Sequence, residues 1–292
     1  MQDFLNNLRT LKYSECSITS YGNALKVFFS FMERNAIARM QDVTIEDLEN
    51  YKAGLIEKEY ADSTLDIYTR TLKLYFKFLE DRGEIFINPA EGMRKHKRTM
   101  KMQYVPNPED MKRLLELPDT SSAIGIRDRA IIETAYSTAC RIQELSNLTL
   151  HDIDLKNAMM VIRQGKGNKD RIVPIGRHAV KWLNEYLTRA REELLAGSYD
   201  EDTLWIGFHH RKITSPAIHK MLETYSRILN ISPVITVHSI RRLAATQMLN
   251  NGASPALIAE MLGHADLGTL YAYLKVTAKE IKEMHSRAKV GE

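Results

Sequence analysis

The sequence predicts a mostly α-helical protein of two domains, with a small β-hairpin in the second domain. Three observations carry this prediction. Apolar residues recur at three- and four-residue steps through most of the 292 residues, as in helices that bury one face. Two short apolar runs, 158–163 and 171–175, flank a turn rich in Gly and Asn, as the strands of a hairpin do. The segment 94–107 has no apolar period and separates two helical regions.

The first region, 1–93, is predicted to be a small helical bundle. Two long helices are indicated by apolar spacing, one through Tyr21, Leu25, Phe28, Phe29 and Met32 and one through Tyr68, Leu72, Tyr75, Phe76 and Leu79. Ser63 or Thr64 is expected to cap the second of these helices, which should end at 81–83. With a shorter helix over 46–57, about four helices would pack together.

The second region, 108–292, is predicted to combine further helices with the hairpin. Helices are expected over 108–117, 126–137 and 178–195, on either side of the two strands. Helical spacing returns from 216 to 288, with breaks at 231–234, 251–252, Gly263 and Gly268.

Positive charge is concentrated between the two regions. The formal net charge is +4, but residues 1–93 carry −4 and residues 102–292 carry +3. The segment 94–101 holds five cations and no acid: Arg94, Lys95, Lys97, Arg98 and Lys101. Such clusters bind phosphate backbones, although a solvated linker would show the same run of charge.

The composition excludes several classes of protein. Apolar content of 44% and charged content of 27% are those of a soluble globular protein, and no apolar run approaches the roughly 18 residues of a membrane span. The N-terminus has no basic-then-apolar signal region. Cys16 and Cys140 are too few and too far apart for a disulfide framework or a zinc site, so a reducing cytoplasm is expected. No pair of carboxylates suited to two metals accompanies the candidate site, so no cofactor is predicted.

Candidate phosphate-binding side chains lie near the C-terminus and in the hairpin region. His238 and Arg241 are three residues apart, so on a helix they share a face, and arginine offers a planar fork of donors to phosphate. The same pair would also suit a surface ion-pair helix. Arg141 follows small residues and could equally form an i, i+3 salt bridge with Glu144. Lys166 lies in the hairpin turn, where it could reach a phosphate or only aid solubility.

A hydroxyl nucleophile follows in the last 30 residues. His264 comes after Leu262 and Gly263, and Tyr273 follows it by nine residues. Residues 256–269 also suggest a helix-turn-helix, but its second helix would offer bases mainly threonine and tyrosine hydroxyls. Tyr271 and Tyr273 point about 200° apart on a helix, so only one can face a phosphate.

Taken in order, these motifs resemble the tyrosine recombinases, the lambda-integrase, Cre and Xer class of site-specific DNA recombinases. Residues 136–145 resemble the family's box around its first arginine, and residues 165–174 resemble its lysine hairpin. Residues 238–241 resemble the box around its second arginine. The nine-residue step from His264 to Tyr273 matches the family spacing. Residues 21–31 and 72–89 resemble the SAM-like core-binding domain. The resemblance covers nearly the whole chain and is closest to the short Xer-like members.

The resemblance implies a C-shaped DNA clamp with a tyrosine-recombinase catalytic fold. Residues 1–93 would be the core-binding domain, 94–107 a basic linker, and 108–292 the catalytic domain, whose C-terminal helix would contact a neighbouring protomer. Lys169 and Arg171 are expected to contact DNA together with the linker cations.

The resemblance also implies a role for each catalytic candidate. Arg141 and Arg241 would hold the non-bridging phosphate oxygens, and His264 would donate a further hydrogen bond. Lys166 would protonate the leaving 5′ oxygen, and His238 would deprotonate or orient the nucleophile. Tyr273, selected over Tyr271 by the family spacing, would form a 3′-phosphotyrosyl bond, so that rejoining needs neither metal nor ATP.

The implied partner is double-stranded DNA with paired inverted sites, bound by a dimer and synapsed by a tetramer in the nucleoid. Dimer or cointegrate resolution and integration or excision of a mobile element all fit, with or without accessory proteins. A DNA-relaxing enzyme of the type IB topoisomerase kind and a non-cleaving regulator remain alternatives. Departures from the family pattern at 139–140, 242–243, 269–270 and Lys275 remove no catalytic side chain, but they distinguish the chain from a standard chromosomal Xer protein.

Overall fold

The computed structural model describes residues 1–94, 104–163, 170–197 and 202–263. The chain divides into two compact units, Met1–Met102 and Gln103–Glu292. Both cysteines are free thiols, Cys16 exposed and Cys140 buried. No helix within the described ranges is both long and apolar enough to cross a bilayer.

The first unit is a bundle of α-helices, as its apolar spacing predicts. Its described helices are α1 Gln2–Thr10, α2 Glu15–Arg34, α3 Ile45–Glu57 and α4 Asp62–Asp81. Phe28 of α2 is fully buried and meets the rings of Tyr51 and Phe76 edge-on, with centroids 5.2 and 6.0 Å away. These aromatic contacts join α2, α3 and α4 in one core.

The predicted N-cap of α4 is wrong by two or three residues. The helix begins at Asp62, with Ala61 as an N-cap that makes no side-chain hydrogen bond. Ser63 and Thr64 lie inside the first turn, where the Thr64 amide already bonds the Ala61 carbonyl. The Asp62 carboxylate stands in that first turn, where the helix dipole favours negative charge.

The second unit surrounds a core centred on one helix. Its described α-helices are α5 Pro108–Glu116, α6 Ala123–Thr138, α7 Ile142–Asn147, α8 Arg177–Glu185, α9 Arg191–Leu195, α10 Ser215–Ile228, α11 Val237–Asn250 and α12 Pro255–Leu262. Most residues of α6 are buried, because other helices and the sheet pack around it. The six-residue α7 was not predicted, since it is too short to show a period.

The helix predicted over 178–195 is confirmed, but five of its residues are π-helical rather than α-helical. A π-helical turn, Tyr186–Ala190, separates α8 from α9. Within this turn the buried Tyr186 hydroxyl donates to the Leu204 carbonyl at 2.9 Å and accepts from the Ile206 amide at 3.0 Å. The π-helical turn therefore coincides with hydrogen bonds between Tyr186 and residues 204–206, and apolar spacing in the sequence does not encode such contacts.

The predicted hairpin is confirmed and has one more strand. The antiparallel sheet has the order β1 Ile153–Asp154, β2 Met159–Ile162 and β3 Arg171–Pro174. The register places Ile162 opposite Arg171, at the end of the pair where the turn begins. The turn itself, with Lys166 and Lys169, lies outside the described residues. Arg171 is thus the residue of β3 nearest that turn.

Candidate active site

Arg141 is fixed by the abrupt end of α6. The helix terminates at Ala139, which has a left-handed conformation with φ 49° and ψ 30°, and α7 begins after Arg141. The Arg141 amide donates to Glu144 Oε2 at 2.7 Å, and its Nη1 donates to Glu144 Oε1 at 2.7 Å. The i, i+3 salt bridge with Glu144 therefore forms, and it orients the Arg141 side chain.

His238 and Arg241 lie on α11, as their three-residue spacing predicts. Thr236 caps this helix through a reciprocal hydrogen-bond pair with Ser239, which fixes where the first turn starts. Arg241 is only 2% exposed; its Nη1 donates to the Ala139 carbonyl at 2.7 Å and its Nη2 to the Leu262 carbonyl at 2.6 Å. Arg241 therefore ties the end of α6 to the end of α12.

Three arginines converge on the last carbonyls of α12. Arg171 Nε donates to Met261 at 2.7 Å, Arg241 Nη2 to Leu262 at 2.6 Å, and Arg141 Nη2 to Gly263 at 3.1 Å. The final carbonyls of a helix have no intrahelical donor and carry the negative end of its dipole, so cations are favoured there. The end of α12, at Leu262 and Gly263, therefore lies beside two catalytic candidates, Arg141 and Arg241.

Glu144 is the buried anion between two of these arginines. Its oxygens also accept from Arg171 Nη1 at 2.9 Å and Nη2 at 2.8 Å. Burial would raise the pKa of the carboxyl, but the bonds from Arg171 and Arg141 outweigh it and lower the pKa to about 2. The group is therefore a carboxylate at neutral pH.

The pKa of His238 is lowered from its usual value. Burial is the largest cause, and the positive charges of Arg242, Arg241 and Arg141 act in the same direction. The imidazole is consequently neutral at pH 7 and can accept a proton. Cys140, by contrast, is buried in the core of the second unit, and burial raises the pKa of its thiol to about 11.

The structure thus brings together three of the six catalytic candidates: Arg141, His238 and Arg241. Lys166, His264 and Tyr273 lie outside the described residues, as do Lys95, Lys97, Arg98, Lys101, Lys169 and the second half of the alternative helix-turn-helix. Arg94 is exposed, and its carbonyl accepts from Lys52 Nζ at 2.7 Å. In the described ranges, no three His, Cys, Asp or Glu side chains form a group that could hold a metal ion.

Arg171 is predicted to contact DNA, but in this DNA-free structure it contacts other residues of the protein. Its side chain is only 9% exposed, and Glu144 and Met261 take all three nitrogens. The sequence analysis also missed Glu144 as part of the site. The one signal for Glu144 in the sequence was its position three residues after Arg141. Its second partner, Arg171, lies on β3, and local spacing cannot reveal that contact.

Comparison with known proteins identifies the family of the chain. The Phage integrase family model matches residues 106–280, and that of the phage integrase N-terminal SAM-like domain matches residues 1–83. Tyrosine recombinase XerD of Listeria innocua serovar 6a is 30% identical over 290 residues, covering 98% of this chain and 97% of the relative.

Two solved structures share the fold. The XerH site-specific recombinase bound to palindromic difH substrate has a TM-score of 0.75 at 21% identity, covering 92% of this chain and 79% of that one. A lambda integrase tetramer bound to a Holliday junction has a TM-score of 0.73 at 17% identity, covering 91% and 73%. The chain therefore belongs to the phage integrase family, as a tyrosine recombinase that breaks and rejoins DNA strands in site-specific recombination.

Proposed function

We propose that Tyr273 is the nucleophile and that Arg141, Lys166, His238, Arg241 and His264 form the rest of the catalytic set. The observation that carries the proposal is the convergence of Arg141 and Arg241 on the carbonyl end of α12, immediately before His264. Two guanidiniums and a histidine held there would offset the charge that develops on a phosphate.

The proposed cleavage step is a transesterification. A Tyr273 oxygen–phosphorus bond forms as the bond from phosphorus to the 5′ oxygen breaks, and the tyrosine remains joined to the 3′ phosphate. The tyrosine proton passes to His238, which is neutral because burial and nearby arginines lower its pKa. The Lys166 ammonium gives a proton to the leaving 5′ oxygen. Attack by a 5′ hydroxyl reverses each transfer, so no ATP or metal is required.

The two arginines would meet the phosphate differently. Arg141 retains 28% of its side-chain exposure, so an incoming phosphate can reach its guanidinium directly. Arg241 is 2% exposed, so a phosphate can reach its guanidinium only after the residues around it rearrange. DNA binding should therefore rearrange the neighbourhood of Arg241 more than that of Arg141.

We infer that DNA with paired inverted sites is the substrate, bound by a dimer and synapsed by a tetramer. Support comes from the palindromic site of XerH and the junction-bound lambda integrase tetramer. In this proposal residues 1–93 are the core-binding domain, 94–107 the linker, and 108–292 the catalytic domain, whose C-terminal helix contacts a neighbour. The protein would act in the cytoplasm on nucleoid DNA, in resolution or in integration and excision.

The assignment of the nucleophile is tested with Tyr273→Phe and its matched control Tyr271→Phe. On a nicked suicide duplex carrying the protein's own site, Tyr271→Phe should form a covalent adduct, and Tyr273→Phe should bind the duplex without forming one. Denaturing electrophoresis and peptide mass spectrometry identify the adduct. An adduct with Tyr273→Phe would refute the nucleophile, and no adduct with the unmodified protein would favour a non-cleaving regulator.

A further inference from the structure

Arg171 stands at the junction of three elements of the site. It lies on β3 opposite Ile162, at the end of the strand pair nearest the hairpin turn. Two of its nitrogens bond the two oxygens of Glu144 on α7, and its third bonds the Met261 carbonyl on α12. One buried guanidinium thus joins the hairpin, the helix that follows Arg141, and the helix that precedes His264.

The geometry of the pair is that of a planar fork. Both Glu144 oxygens accept one bond from Arg171, and each accepts a second from Arg141, one from the side chain and one from the backbone. Four donors satisfy the lone pairs of a carboxylate. The orientation of Glu144, and with it that of Arg141, therefore depends on Arg171 as much as on α7 itself.

The end of α12 is equally closely fitted around Arg171. Gly263 has φ +62°, and a Cβ at this position would lie 3.1 Å from Arg171 Nη1 and 3.3 Å from its Cδ. The glycine therefore allows both the left-handed turn and the close approach of the arginine. The two positions are matched to each other sterically as well as through the Met261 carbonyl.

We propose that Arg171 is a positioning residue that holds the β2–β3 strand pair, Arg141 and the end of α12 in one fixed arrangement. The inference rests on the proposed function, since that function gives Lys166, Arg141 and His264 their roles. Lys166 precedes Arg171 by five residues in the sequence, and Arg171 is the first residue of β3. A displacement of about 1 Å at such a support can slow catalysis by roughly 100-fold.

The test uses Arg171→Lys, which keeps the charge but cannot form the two parallel hydrogen bonds that the planar guanidinium makes to Glu144. Arg163→Lys is the control, because Arg163 follows β2 on the same hairpin, but its side chain is 56% exposed and pairs with Asp152 at 2.5 Å rather than with Glu144. Single-turnover cleavage is measured on suicide duplexes with oxygen or sulfur at the bridging 5′ position. Sulfur leaves as a thiolate and needs no proton from Lys166.

We expect Arg171→Lys to remain folded and to bind DNA within about twofold of the unmodified protein, but to cleave the oxygen duplex roughly 10- to 100-fold more slowly. The sulfur duplex should recover part of that loss, and Arg163→Lys should cleave both within about twofold. A folded Arg171→Lys that cleaves at the normal rate would overturn the inference. So would a loss of DNA affinity with a flatter salt dependence, which would mark Arg171 as a phosphate contact.

A second measurement separates this inference from the proposed function. Amide hydrogen exchange without DNA should accelerate in 159–163, 170–174 and 255–263 of Arg171→Lys, and not in Arg163→Lys, because the anchor is lost locally. If exchange accelerates but the unmodified protein forms no Tyr273 adduct, the anchoring role stands and the catalytic assignment fails. If the adduct forms while exchange and cleavage in Arg171→Lys are normal, the anchoring role is wrong.

Discussion

His238 shows how surroundings decide the chemistry of a single residue. Burial and three neighbouring arginines all lower the pKa of its imidazole. The proton-accepting role proposed for it requires the neutral form at working pH, and this environment supplies it. Because the folded pKa is lowered, the contribution of His238 to stability is fully present above the usual value of 6.5 and declines as the pH falls through the folded value.

We therefore predict that His238 titrates below pH 6.5 in the DNA-free protein. Arg242→Gln should raise this pKa, since Arg242 provides the largest of the charge effects. Arg113→Gln is a suitable control, because Arg113 bonds Asp110 and the Leu229 carbonyl and does not act on His238. NMR titration of the imidazole gives all three values. A pKa of His238 above 6.5, or no response to Arg242→Gln, would contradict the assignment of its environment.

At the scale of elements, the start of α6 depends on one close backbone approach. A Cβ at Gly125 would lie 1.9 Å from the Asp119 carbonyl oxygen, which is backbone and cannot move aside. The Gly125 amide is also held in place, because it donates a hydrogen bond to the Ser122 hydroxyl at 3.1 Å. The turn before α6 and the helix itself are therefore held in register, and this helix carries the chain to Ala139 and Arg141.

A pair of glycine substitutions tests this packing. Gly125→Ala should lower the free energy of unfolding by more than about 3 kcal/mol, because turn and helix must separate. Gly54→Ala, in the interior of α3, meets nothing within 4 Å and should raise it by roughly 0.5–1 kcal/mol through helix propensity. Urea denaturation of each variant provides the comparison. Equal effects at the two sites would show that the close approach at Gly125 does not govern the stability of α6.

At the scale of the whole molecule, the positive charge of segment 94–101 is the feature left to explain. Changing Lys95, Lys97 and Arg98 to Gln should weaken binding to specific and random DNA alike, and should flatten the salt dependence by roughly 0.9 for each lost phosphate contact. The control is the same change at Lys12, Lys58 and Lys77, which are exposed in the first unit. Binding isotherms over a range of salt distinguish them.

Two results would contradict the linker prediction. Unchanged affinity and salt dependence in the linker variant would make the segment a solvated tether. A selective loss of preference for the specific site would mean that the segment reads bases.

The sequence alone determined the class of fold and the family. Helices such as α2, α4 and α11 were predictable because each buries one face, and that periodicity is written locally in the chain. The hairpin was predictable from its strand and turn residues, and the order of the motifs carried the resemblance to tyrosine recombinases. Short elements such as α7 and β1 were missed because they contain too few residues to show a period.

The tertiary structure alone decided how the site is held. Arg141 meets Gly263 across 122 residues of sequence, and Arg171 meets Met261 across 90 and Glu144 across 27. No local spacing specifies such hydrogen bonds, because they arise only when helix ends and a strand are packed against one another. The sequence alone also cannot distinguish an exposed arginine from a buried one. Only the tertiary structure shows that Arg171 is largely buried and paired with the Glu144 carboxylate.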